Sequence, residues 1–118
     1  MKILWQTLIV VSALAELMAA VTLIGGPGGI TAAGSGSQWS MHYGFAALAV
    51  ASLSLWVWPR RTNADAVHVA LGVLTTFHVG VFLSLTLAGD QAFGMLLHGV
   101  LSVMCIVLVA GRRGIIAH

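Results

Sequence analysis

The chain has 118 residues, of which 59% are hydrophobic and only 7% charged. That leaves too little polar surface for a water-soluble domain of this size, and it turns the formal charge of +2 and the pI near 9.3 away from nucleic acid and toward membrane topology and anionic headgroups. The single cysteine, Cys105, excludes an internal disulfide and reads as a small apolar filler.

Four apolar runs follow in order, at about 3–24, 41–58, 66–87 and 92–110. Each comes close to the ~20 residues that a helix needs to cross ~30 Å of hydrocarbon. The expected fold is all-α: an integral membrane, up-down-up-down four-helix bundle, with residues 1–118 forming a single transmembrane domain.

The first run opens after Lys2, and its Ala13-Leu14-Ala15 imitates a signal-peptide cleavage site. The apolar character continues through 17–24, so the segment reads as a retained span. Gly25-Gly26-Pro27-Gly28-Gly29 should then stop the helix, because glycine and proline are both costly in a helix interior. The Ser/Gly-rich stretch that follows, to Ser37, reads as a loop. A phosphate cradle would need a helix N-terminus and a partner lysine on that side.

All five basic residues fall on one side of an even-numbered bundle: Lys2 before the first span, Arg60 and Arg61 after the second, Arg112 and Arg113 after the fourth. The positive-inside rule makes that side, and both termini, cytoplasmic. The indoles of Trp5, Trp56 and Trp58 are then expected at the inner boundary and that of Trp39 at the outer.

Polar groups inside spans carry the functional expectations, since lipid cannot hydrogen-bond them and ionisable residues there normally face protein. Helical phase puts Ser12, Glu16, Ala19 and Ala20 on one face of the first span, and His42, Ala46 and Ala49 on one face of the second. The third span aligns His68, Gly72, Thr75 and Phe82, with His78 about 80° round from His68; the fourth aligns Gly94, His98, Ser102 and Cys105. Stripes of small residues with one polar group also suit plain helix–helix contact.

By depth, His78 and His98 are the best pair of axial ligands, roughly 5 Å apart along the membrane normal, with His42 as a substitute for either. A haem b held by two imidazoles needs that arrangement, with Gly80 and Gly94 making room for the porphyrin. A zinc or copper site from His42, His98 and Asp90 competes for the same ligands. Glu16, near mid-membrane, is the candidate proton or ligand group.

The segment from His68 to His78, with two histidines ten apart around Gly72, resembles the two-histidine span of dihaem cytochrome b subunits such as the γ subunit of respiratory nitrate reductase. Over more of the chain, Ala13-Leu14-Ala15-Glu16, Pro27, Phe77-His78 and His98 resemble small four-span bacterial proteins grouped with the DoxX-like proteins. That resemblance implies a fold and a place in the bacterial cytoplasmic membrane, not an activity. Leu14-Ala15-Glu16-Leu17 is similar to the first span of small multidrug-resistance transporters, whose aromatic cage and glycine-serine motifs have no counterpart here.

Three readings stay open: a haem b-binding or electron-transfer subunit, an accessory subunit packing against other membrane subunits or a second copy, and a proton-coupled transporter or quinone-binding protein using Glu16. Nucleophilic catalysis has no Ser/His/acid set at one depth to support it.

Overall fold

The computed structural model describes residues 1–25, 37–89 and 91–116, with the side chains of 37–40 outside the description. The loop expected over 26–36, the indole of Trp39 and the ligand candidate Asp90 therefore lie outside the described residues. Those that are described form α1 (Lys2–Gly25), α2 (Ser37–Val57), α3 (Ala64–Ala88), α4 (Ala92–Ala110) and the short α5 (Arg113–Ile116), with a 3₁₀ turn at Trp58–Arg60 and no strand. The first four are long and apolar enough to cross a membrane, at 24, 20, 25 and 19 residues counted over their spanning segments. This is a multi-pass membrane protein. Large apolar side chains stand outward from all four helices, among them Val21, Leu55, Leu83 and Val103, as a lipid solvent permits.

Helix ends follow local chemistry. Asn63 caps α3, its side-chain oxygen accepting from the Ala66 N–H at 3.0 Å, and Asp65 in the first turn complements the helix dipole. Gly89 ends α3 in the left-handed region at φ +72°, donating its N–H to the Leu85 carbonyl. The regular helix of α2 stops two residues before Pro59, which has no N–H to give. Its start at Ser37 precedes the expected 41, because backbone hydrogen bonding continues past the point where hydropathy falls.

The described residues fall into two compact units, Met1–Leu8 with Pro59–His118, and Ile9–Trp58. In the first, α3 and α4 pack on one another as an antiparallel pair: a Cβ added to Gly94 would stand 3.1 Å from Leu85, and one added to Gly99 the same distance from the Phe82 ring. The buried stripe of α3 is Val67, Ala70, Leu71, Leu74 and His78; that of α4 is His98, Leu101, Ser102, Cys105 and Leu108. Both have the 3–4 residue step of a helix face. At the far end of this pair the Trp5 indole N–H donates to the Arg61 carbonyl at 2.9 Å, and Met1 lies close to Gly111 and Gly114.

In the second unit most buried positions are small or polar, Ser12, Glu16 and Ala20 on α1 and Gly44, Ala47, Ala51 and Ser54 on α2, beside the larger Ile9, Val50 and Val57. Gly44 allows the closest approach, since a Cβ there would meet Ile24 at 2.8 Å and the Leu23 Cβ at 3.1 Å. The α2 face expected to meet protein, His42 with Ala46 and Ala49, is instead exposed. The helix is apolar on nearly every side, so composition could not tell which side faces a neighbour. The same applies to His68 and Gly72 on α3, both exposed, while His78 lies on the buried stripe.

Candidate functional site: a histidine pair on α3 and α4

The antiparallel register of α3 and α4, closed by the turn at Gly89, brings residues 78 and 98 level. Both imidazoles are buried, His78 completely. Their Nδ1 atoms are 3.1 Å apart and their ring centroids 5.2 Å, with planes inclined at 41°. At this distance one Nδ1–H donates to the lone pair of the other Nδ1, so at least one ring is neutral and presents an unprotonated nitrogen.

Phe77 forms a wall of the site. Its ring stands edge-on to His78, centroids 5.4 Å apart, and to His98 at 6.2 Å, an arrangement that sets the positive edge of one ring against the face of another. Sequence reasoning gave Phe77 no role. The available signal was its place beside His78 in a span. The Ser102 hydroxyl, on the His98 stripe, donates to the His98 carbonyl at 2.7 Å, and that of Thr75 to the Leu71 carbonyl at 2.6 Å. Such back-bonding satisfies a hydroxyl in lipid within its own helix.

Two imidazole nitrogens are a ligand set for a metal ion or a haem iron. Metal–imidazole bonds of about 2.0–2.1 Å put two ligands of one ion about 2.9–3.4 Å apart when their angle at the metal lies between square and tetrahedral. Ligands on opposite sides of the same ion stand about 4 Å apart. The 3.1 Å observed falls in the first range. Neither glycine expected to make room for a porphyrin opens space at the pair: Gly80 is exposed, on the far side of α3 from the buried His78, and Gly94 is closely covered by Leu85.

The other expected site residues lie on the Ile9–Trp58 unit. Glu16 is fully buried on α1, and His42 is exposed on α2. His68, ten residues before His78, lies at the opposite end of α3 from Gly89 and is not part of the pair.

No family model matches this chain, and no curated protein or solved structure matches it either. The functional reading therefore rests on the residues themselves.

Proposed function

We propose that this protein is a metal-binding integral protein of the bacterial cytoplasmic membrane, with both termini on the cytoplasmic side and His78 and His98 as adjacent Nδ1 ligands of one first-row transition metal ion. The observation that carries this reading is the 3.1 Å separation of two buried imidazole nitrogens. Copper and zinc are the ions whose preference for imidazole best suits such a pair. Two protein ligands leave further coordination positions for an exogenous group, the pattern of metal sites that act rather than merely brace. The orientation is supported by Lys2, Arg60, Arg61, Arg112 and Arg113, all of which flank the same ends of the spans.

Metal content tests it. Protein purified from membranes grown with ordinary trace metals should carry about one copper or zinc ion per chain. His78→Ala and His98→Ala should each lower retention at least tenfold, the lower end of what losing even a group that merely orients a ligand costs, while His42→Ala and His68→Ala should leave it unchanged. Chains that fold but bind no metal would overturn the reading.

A haem b between the same two histidines, serving an electron-transfer subunit, is the second reading. It is favoured by two buried imidazoles on facing helices, and it requires the nitrogens to separate to about 4 Å. A Soret band in the purified protein that disappears in either alanine variant would select it over a metal ion.

A further inference from the structure

At the end of the α3–α4 pair away from Gly89, His68, Leu71 and Gly72 of α3 face Val109 of α4 and Arg112 just beyond it across a cleft of about 420 Å³. A second depression, lined by residues 110–114, shares Arg112. The cleft has two chemistries. His68 and Arg112 supply hydrogen-bond donors and a fixed positive charge, while Leu71, Gly72 and Val109 supply an apolar floor, with nothing within 4 Å of a Cβ added at Gly72.

Arg112 is exposed and makes one local contact. Its Nη1 donates to the Val109 carbonyl at 3.1 Å, near the C-terminal end of α4, where a cation also complements the helix dipole. That contact uses one of the five N–H donors of a guanidinium. Asp65, one turn before His68 on α3, does not line the cleft. The depth is that of headgroups: Arg112 lies two residues past the end of α4, a spanning helix, beside a second arginine, Arg113.

We infer that this cleft binds the phosphate of an anionic phospholipid, with Arg112 and His68 on the phosphate oxygens and an acyl chain along Leu71, Gly72 and Val109. Guanidinium matches phosphate geometry in a way a diffuse surface charge does not. Basic pockets between spanning helices are a recurring form of such recognition. The site is independent of the histidine pair, and its test does not depend on any metal.

The experiment is retention of phosphatidylglycerol by the full chain, reconstituted in nanodiscs of phosphatidylcholine containing a minor fraction of phosphatidylglycerol and read by native mass spectrometry. The wild type should retain phosphatidylglycerol in preference to phosphatidylcholine. Arg112→Gln should lower that retention about fivefold, the weight of one basic residue at a membrane surface. His68→Leu should lower it roughly threefold, the weight of one hydrogen bond, and His68→Gln, which keeps an N–H donor, should restore it. Arg60→Gln removes the same charge outside the cleft and should leave retention unchanged. Equal losses in Arg60→Gln and Arg112→Gln, or no preference for the anionic lipid, would overturn the site. Displacement by millimolar inorganic phosphate would overturn the lipid as occupant and assign the cleft to free phosphate; retention in its presence supports the lipid.

Discussion

The two compact units bury different kinds of side chain. In Ile9–Trp58 the buried positions are largely Ser, Ala and Gly, and α1 and α2 meet closely at Gly44 because a side chain has been removed there. In the unit containing α3 and α4 they include Trp5, Leu71, Leu74, Leu101, Leu108 and Ile115, full-sized groups that fill space, together with two imidazoles that bond to each other. Association without a hydrophobic driving force can be reached either way, by close backbone approach or by interlocked side chains with a polar contact. Only the second holds two imidazole nitrogens at a defined distance.

If that contrast is right, the largest effect should come from truncating a filled position. Leu101→Ala removes a side chain with no exposed surface and should destabilise the folded protein by about 2–5 kcal/mol in a reversible unfolding titration. Close approach should break in the opposite direction. Gly44→Val should cost about 1–3 kcal/mol by overpacking, because the added atoms meet Ile24 and Leu23, whereas Gly72→Val, with open space around it, should cost nothing and gain roughly the few tenths of a kcal/mol by which valine is the better helix former. The smallest effect sharpens the comparison by touching neither core: Asn63→Ala removes the α3 cap and should cost about 1 kcal/mol, with the lipid and metal readouts unchanged.

These features differ in how far they could be read from residues alone. The four helices were legible, because span length is set by the bilayer; hydropathy placed their ends only approximately, and the local signals that fix them, Asn63, Pro59 and Gly89, emerged with the structure. The burial of Ser12 and Glu16 on one face of α1, and of His98, Ser102 and Cys105 on one face of α4, also follows from helical phase. The outward face of His42 did not follow, since a helix in lipid is apolar toward its neighbours and toward solvent alike, and the amphipathic signal that orients a soluble helix is missing. The pairing of His78 with His98 could be anticipated from depth. Their 3.1 Å separation could not, because it depends on a register fixed by the left-handed Gly89 and by the close contacts of Gly94 with Leu85 and Gly99 with Phe82. That separation is the hydrogen-bond distance of two imidazoles, and under the proposed reading it is also that of neighbouring ligands on one ion.

The most direct test of the proposed site is the electron paramagnetic resonance spectrum of the copper(II)-loaded wild-type protein beside that of His98→Ala. Superhyperfine splitting from two directly bound imidazole nitrogens in the wild type, reduced to one in the variant, is the expected result. Identical spectra from the two proteins, or a wild-type signal no different from copper in buffer, would contradict the assignment of His78 and His98 as joint ligands.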